Sequence, residues 1–161
     1  MKIDIALLAD AATVDASGKL NVLGSFHRLR GPDFPLRHGR VALVLRFALD
    51  PGDQGRLDVA IRMVSPDDQT ILQLNGQVDA GPGDPDDRVR IPQVLNLDGV
   101  VFPTAGRYRF VVQVEGEEVQ SVPLLVEKSS GERRQPGAPP GSGRAPTPIL
   151  VPPGSEGGVQ A

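Results

Sequence analysis

The chain has 161 residues, a formal net charge of −3 and no cysteine. The lack of cysteine excludes thiolate zinc fingers, iron–sulfur clusters, thiol catalysis and disulfide-stabilised folds. Residues 128–161 carry a charge of +2 and the remainder −5. Neither value is typical of a protein that binds nucleic acid generally, so no nucleic-acid partner is expected.

Proline and glycine divide the chain into two parts. Residues 128–161 contain 7 of the 16 prolines and 7 of the 19 glycines, and no aromatic residue. A segment of this composition buries too little apolar surface to fold, which predicts a disordered tail. Residues 1–127 are long enough to enclose a single hydrophobic core and are predicted to form one domain.

The N-terminal segment predicts a strand and a cytoplasmic location. Its apolar run is interrupted by Asp4 and ends before Asp10, which leaves it shorter than the roughly 7–15 apolar residues of a secretory signal. No segment approaches the ~20 apolar residues of a membrane-spanning helix, so no membrane partner is expected. The 14 arginines against 3 lysines indicate GC-rich codon usage and favour a bacterial source.

Alternation of apolar and polar residues predicts the strands that follow. One strand is expected over 20–29, after the turn Ser17-Gly18. The next covers 40–49 and has one apolar face made of Val41, Leu43, Leu45, Phe47 and Leu49. Turns rich in Pro, Gly and Asp then separate strands predicted at 57–63, 70–79 and 88–91. Pro92 indicates a bulge or a sheet edge. Pro123 indicates another edge strand that is protected from further pairing.

A tyrosine corner is predicted where the chain enters its next-to-last strand. Gly106 and Tyr108 precede an alternating segment that reaches Val114, and a hairpin leads into 119–126. Such a tyrosine commonly bonds back to the corner backbone in immunoglobulin-like domains. About eight short strands without helical periodicity predict an all-β, antiparallel, immunoglobulin-like β-sandwich. A small barrel is the alternative that periodicity leaves open.

Five motifs resemble an uncharacterised family of small bacterial β-sandwich proteins. They are Ile5–Asp10, Gly18–Gly24, Phe34-Pro35, Pro103–Phe110 and Ser121–Leu124. The resemblance covers about residues 1–127. It implies a bacterial, intracellular single domain, and it brings no activity or binding residues to this chain.

Neither catalysis nor a bound cofactor is indicated. Ser25 and His27 share one face of a predicted strand, but no Gly-x-Ser-x-Gly elbow surrounds the serine. Calcium binds carboxylate oxygens of the kind found in one loop, at Asp79, Asp84, Asp86 and Asp87. Asp67 and Asp68 would join them if the turns converge. Turn chemistry is the better explanation of these aspartates, so no catalytic, cofactor-binding or metal residue is assigned.

The best candidate for a functional patch is basic. Arg28, Arg30, Arg37 and Arg40 lie in the one locally basic segment of an acidic domain, against a single acid, Asp33. The planar guanidinium group of arginine fits planar oxyanions, so the patch is a candidate site for an anion or a protein partner. The structural alternative is an exposed connection whose arginines pair with carboxylates of the same domain. Its central Phe34 is expected to face the core.

The tail has two short patterns of its own. Arg133–Pro139 fits the form of a polyproline ligand, and Ile149–Val151 is an apolar strip that could add to a sheet edge. A flexible linker explains both without a partner.

Two functions remain open from the sequence. The first is a non-enzymatic intracellular protein-binding or scaffold module with an unidentified protein partner. The alternative is a domain that binds a small ligand or an ion, either calcium at the aspartate loop or an anion at the arginines. Aromatic residues make up 4% of the chain, too few for the stacking platforms that bind sugars or single-stranded nucleic acid.

Overall fold

The computed structural model describes residues 1–50, 53, 55–81 and 89–129. Within these ranges the chain is all-β and contains no helix, and therefore none that is long and apolar enough to cross a membrane. The strands are Lys2–Val14 (β1), Leu20–Phe26 (β2), Arg28–Gly31 (β3), Leu36–Ala48 (β4), Arg56–Val64 (β5), Thr70–Asp79 (β6), Arg90–Phe102 (β7), Gly106–Val114 (β8) and Glu117–Lys128 (β9). Residues Met1–Gly131 form one compact unit.

The nine strands form two sheets that enclose one core. Sheet A has the order β2-β1-β4-β7, and sheet B has the order β3-β9-β8-β5-β6. The largest fully buried side chains are Tyr108, Phe47, Phe102 and Phe110, which come from both sheets. The described strands thus make two separate hydrogen-bonded layers and not a single closed barrel.

The predicted strand over 20–29 is two strands in two different sheets. β2 ends at Phe26 in sheet A, and β3 begins at Arg28 in sheet B, so the chain changes sheet at His27. The His27 carbonyl accepts a hydrogen bond from the Leu125 amide at 2.9 Å, and β3 pairs with β9 in parallel. This division brings the described strands to nine. It also makes one strand pair parallel in a fold predicted to be antiparallel.

Strands β4 and β7 are longer than the alternation of residues predicts. β4 already begins at Leu36, so Arg37 and Arg40 lie in a strand and not in an exposed connection. β7 extends from Arg90 to Phe102, because it pairs with β4 along its whole length. Its position at the end of sheet A agrees with the edge indicated by Pro92.

In both β4 and β7, the set of alternate positions that points into the core changes at a pair of glycines. Gly39 and Gly99 lie opposite each other, between the paired positions His38–Val100 and Arg40–Asp98. Gly99 has a φ of 65°, a left-handed conformation that favours glycine. As a result Val100 and Leu97, three residues apart, both belong to the core. Arg40 and Asp98 then lie on the outer side of sheet A.

The corner before β8 is closed by the Tyr108 hydroxyl. This side chain is fully buried, and its hydroxyl donates to the Thr104 carbonyl at 2.8 Å and accepts from the Thr104 amide at 3.2 Å. Its ring packs edge-on against Phe102 at a centroid distance of 5.1 Å. The tyrosine therefore joins the loop after β7 to the core.

We expect Tyr108→Phe to lower the free energy of unfolding by about 1–2 kcal/mol. The substitution keeps the ring packing but leaves the part-buried Thr104 amide and carbonyl without the hydroxyl. Urea denaturation monitored by circular dichroism measures the change. A loss below about 0.3 kcal/mol would show that water replaces the hydroxyl at no cost.

Candidate functional site

The outer sides of the two sheets differ in polarity. In β4, Val41, Leu43 and Leu45 face the common core, so Ala42 and Val44 face outward on sheet A. Both are nevertheless fully buried. They belong to a second apolar cluster, which we call the apolar face, whose members are Ile5, Leu7, Ala9, Ala12, Leu20, Ala42, Val44 and Val94. No described strand packs over this side of sheet A.

The outer side of sheet B is polar. In β5, Val59, Ile61 and Met63 point into the core, so Asp58 and Arg62 point outward. The neighbouring strands continue this side with Gln73, Asn75, Gln77, Arg107, Arg109 and Gln113, which leaves Val64 and Val111 as isolated buried apolar residues in a mainly polar surface. A sheet that faces water on one side normally has such a polar outer surface, and sheet A does not.

The signal for the apolar face is visible in the sequence as two uninterrupted apolar runs. Residues 5–9 and 41–45 contain no polar residue. A continuous apolar run is typical of a strand that is covered on both faces, whereas alternation indicates one buried face. Our sequence analysis assigned a single buried face to the strand at 40–49, and the burial of Ala42 and Val44 corrects that assignment.

Among the described residues of sheet A, the ion pairs lie at the two ends of the apolar face. At one end the Arg46 guanidinium contacts the Asp4 carboxylate at 2.8 Å, and Arg90 contacts the same carboxylate at 3.3 Å. At the other end Arg40 contacts Asp98 at 2.6 Å. Hydrogen bonds from Arg46 lower the pKa of Asp4, and those from Arg40 lower the pKa of Asp98. The described members of the face between these two ends are all apolar.

The hairpin of β1 and β2 extends this apolar surface to the edge of sheet A. Val14 and Val22, which pair with Leu20 and Ala12 of this face, are each 40% exposed, whereas Leu23, at 72% exposed, points to the other side of the sheet. β2 lies at the end of the sheet order, and its seven residues include no proline and no charged residue. Edge strands are usually protected by such residues, so β2 is an unusually unprotected edge.

The four predicted patch arginines are distributed over both sheets. Arg28 and Arg30 lie in β3 of sheet B, and their guanidinium groups contact one carboxylate, Glu127, at 3.5 and 3.3 Å. Arg37 and Arg40 lie in β4 of sheet A, where Arg40 contacts Asp98. The structure thus brings Arg28 and Arg30 together at Glu127, and it places the other two in the other sheet.

The remaining candidate residues make local contacts. Ser25 lies in β2, His27 lies between two strands, and the His38 ring packs edge-on against Phe26 at a centroid distance of 5.9 Å. Phe34 packs against the core, as expected. No group of three or more metal-ligating side chains occurs among the described residues.

The aspartates considered for calcium make turn contacts where the structure describes them. The Asp67 carboxylate accepts from the Ser65 hydroxyl at 2.6 Å, and Asp68 contacts Arg109 at 2.7 Å. The Asp79 carboxylate accepts from the Gly81 amide at 2.9 Å. Asp84, Asp86 and Asp87 lie outside the described residues, and so does the predicted tail apart from Lys128 and Ser129.

A cavity opens between the two sheets along their β6 and β7 edges. Its volume is about 420 Å³, and its lining includes Met63, Leu72, Leu97 and Val100. A second cavity of about 120 Å³ lies between the same two strands, next to Leu74 and Leu95. The lining of both is mainly apolar, as is typical of small-molecule sites.

Comparison with known proteins gives a family but no activity. The model of a family described as "Family of unknown function (DUF6941)" matches residues 4–127. This match confirms the expectation of an uncharacterised family. No curated protein matches the chain.

Among solved structures the chain is similar to Pseudomonas fluorescens alkylpurine DNA glycosylase AlkC bound to DNA containing an abasic site analog. The sequence identity is 11% and the TM-score is 0.41. The match covers 78% of this chain and 30% of the glycosylase, so this chain spans less than a third of the length of that protein. A likeness this low says nothing about function.

The ion pairs at the end of the apolar face predict an acid-sensitive contribution to stability. The pKa of Asp4 is lower in the folded chain than in the unfolded chain, mainly because Arg46 donates to its carboxylate. The resulting stabilisation is fully present above the unfolded pKa of about 3.9, and it is lost as the pH falls through the lower, folded value. We expect Asp4→Asn to reduce the loss of stability on acidification.

Urea unfolding at pH values on both sides of about 4 measures this effect. Asp10→Asn is the matched control, because Asp10 is an exposed carboxylate of the same strand and has no ion pair within the described ranges. An equal change in acid sensitivity for both variants would show that the Arg46 contact contributes nothing.

Proposed function

We propose that this chain, which belongs to the family of unknown function DUF6941 by the match over residues 4–127, is a non-enzymatic protein-binding or scaffold module. The surface that binds is the apolar face of sheet A together with the exposed residues of the β1–β2 hairpin. This proposal rests on one observation, the contrast between the contiguous apolar cluster on the outer side of sheet A and the mainly polar outer side of sheet B.

The apolar face has the composition of an interface core. Ile5, Leu7 and Val94 are only partly buried and surround the fully buried Ala42 and Val44. Contiguous apolar surface is rare on monomeric proteins and commonly marks a site of protein association. The charged pairs at both ends supply the polar rim that surrounds such a core. Binding of a partner here would release water from apolar side chains and leave those ion pairs in place.

The architecture also supports a binding module. The Tyr108 hydroxyl bond to the Thr104 carbonyl is the contact found at tyrosine corners, and we infer an immunoglobulin-like β-sandwich from it. Domains of this architecture present loops, faces and edges from a rigid core. The lack of cysteine favours a reducing compartment, and we place the protein in the bacterial cytoplasm.

The arginines of β3 and β4 extend the binding surface in this proposal. Arg28 and Arg30 are exposed and share the single Glu127 carboxylate, which leaves a local surplus of positive charge. An acidic segment of a protein partner fits this surplus better than a small anion does, because Arg37 and Arg40 lie in the other sheet. We therefore assign the four arginines to partner recognition.

A second candidate function is the binding of a small apolar ligand. The cavity of about 420 Å³ between β6 and β7 falls within the volume range of ligand sites, and its lining is mostly aliphatic. This site differs from the calcium and anion sites considered from the sequence. In this alternative the ligand binds between the two sheets, along their β6 and β7 edges.

We expect Val94→Lys to weaken capture of a partner at least tenfold, a change of about 1.4 kcal/mol. Lysine would place a charge among apolar side chains at the edge strand of the apolar face. The measurement is a pull-down from bacterial lysate with the full chain as bait. Ile71→Lys is the control, because Ile71 is an apolar residue of sheet B and, at 38% exposed, is more accessible than the partly buried Val94. Equal capture by both variants would contradict the assignment of this face.

The ligand function predicts a change in thermal stability. A ligand that binds only the folded state raises the melting temperature. At a free ligand concentration of 100 times the dissociation constant, it adds about 2.7 kcal/mol to the free energy of unfolding. We expect apolar small molecules to raise it in the wild type and not in Leu97→Lys, whose substituted side chain lines the cavity. A parallel melting scan with calcium and phosphate tests the ions considered from the sequence. If neither apolar molecules nor these ions raise the melting temperature, the second candidate function is contradicted.

A further inference from the structure

We propose that the outer side of sheet B binds an extended acidic segment of a partner protein. The residues that bind it, which we call the arginine surface, are Arg28, Arg30, Arg62, Arg107 and Arg109. This surface faces away from the apolar face of sheet A and shares only Arg28 and Arg30 with the binding surface proposed above. The inference rests on the proposed function in one respect, that the ligand is a protein.

Strand β8 supplies two of the five arginines. Tyr108 and Phe110 of this strand belong to the core. The alternate positions Arg107 and Arg109 therefore point away from the core, and both are exposed. Arg109 contacts the Asp68 carboxylate at 2.7 Å, whereas no ion pair of Arg107 occurs within the described residues.

Two arginines of β3 join them across β9. Arg28 and Arg107 both pair with Leu125, and paired residues project to the same side of a sheet. Arg30 is two positions further along β3 and therefore points to that side as well. The side chains of Arg28 and Arg30 are 43% and 61% exposed, and they share the one Glu127 carboxylate.

Arg62 adds a fifth guanidinium group from β5. It pairs with Val111, which is the outward position of β8 after Arg109. Its Nε atom is shielded from water and has no hydrogen-bond partner in the described part of the chain. Buried donors without a partner are uncommon in folded proteins, so the described chain leaves the Arg62 guanidinium incompletely compensated.

The described charges give this end of sheet B a positive surplus. Three carboxylates lie with the five arginines, namely Glu127 and the turn residues Asp67 and Asp68. Lys128 and Asp33 form a further pair at the same end, 3.0 Å apart, which is neutral. The surplus is therefore two positive charges, and carboxylates of a partner are its natural complement.

The opposite end of the same side is acidic, which limits where an acidic segment can lie. Its described charged residues are Arg56, Asp58, Asp79, Glu115, Glu117 and Glu118. They amount to an excess of four negative charges. An acidic segment is attracted to one end of sheet B and repelled from the other, so it is confined to the arginine surface.

This division of charge favours a short acidic segment over a nucleic acid. A nucleic-acid strand has a negative charge at every nucleotide, so a strand that continued past the arginine surface would meet the carboxylates of the acidic end. Aromatic residues make up only 4% of the chain, which leaves few rings on which bases could stack.

The spacing of the arginines fits an extended peptide. Strands of a sheet lie about 4.8 Å apart, and residues follow each other at about 3.4 Å. Arg107 and Arg109 are therefore about 7 Å apart, which is also the distance between alternate side chains of an extended peptide. Arg28 and Arg62 are separated by three strand intervals and four residue positions, a diagonal of about 20 Å that about six extended residues span.

Fluorescence anisotropy of a labelled peptide with the full chain tests this inference. The probe is a peptide of about ten residues in which glutamate and threonine alternate, and the control peptide has glutamine in place of each glutamate. We expect the acidic probe to bind with a dissociation constant below about 100 μM at low salt and more weakly as salt is added. The glutamine peptide should not bind.

The variants locate the binding site. Arg107→Gln and Arg109→Gln should each raise the dissociation constant about threefold, and both together about tenfold. Arg56→Gln is the matched control, because Arg56 is a 73% exposed arginine on the same side of sheet B at the acidic end. It removes the same charge and should change the constant by less than about twofold. Circular dichroism checks the fold of each variant.

Three results would overturn the inference. The acidic probe could fail to bind at concentrations up to about 1 mM. Arg56→Gln could weaken binding as much as Arg107→Gln does, which would show that only the net charge of the chain acts. An oligothymidine of equal charge could bind more tightly than the peptide, which would exclude a protein segment as the preferred ligand. If any of these occurs and Val94→Lys still weakens capture of a partner, the proposed function stands without this inference.

Discussion

A strand with apolar side chains on both of its sides must be covered on both sides, and the central pair β1 and β4 imposes this constraint on the molecule. On the inner side, Leu8 and Leu45 pack against sheet B in the common core. On the outer side, Leu7 and Val44 belong to the apolar face. The two sheets satisfy only the inner requirement. The proposed function follows from the outer side, where the described part of the chain supplies a surface and no second layer.

The alternation of residues was sufficient to predict most of the fold. It predicted an all-β chain, the position of β5 and β6, and the inward direction of Phe47, Tyr108 and Phe110, all of which the structure bears out. It did not reveal that the chain changes sheet at His27, because the pairing of β3 with β9 joins residues about 97 positions apart, such as Arg28 and Leu125. Local periodicity contains no information about which distant strand is the neighbour.

The candidate site was missed for a different reason. The arginines of 28–40 were the strongest feature among the charged and titratable groups of the sequence. The apolar face has no such groups, and its signal was the lack of polar residues in 5–9 and 41–45. The alternating inward positions of the strand at 40–49 explained its apolar residues only in part, because the outward positions are apolar as well.

Hydroxyl-radical footprinting of the full chain, purified and in bacterial lysate, tests most directly whether the apolar face is covered by protein. Leu7 and Val94 are partly exposed on sheet A, and Ile71 is exposed on sheet B, so all three side chains react in the isolated chain. Our account predicts that Leu7 and Val94 become protected when the chain is footprinted in bacterial lysate instead of in purified form, while oxidation of Ile71 does not change. Equal oxidation of Leu7 and Val94 in the purified chain and in the lysate would contradict it.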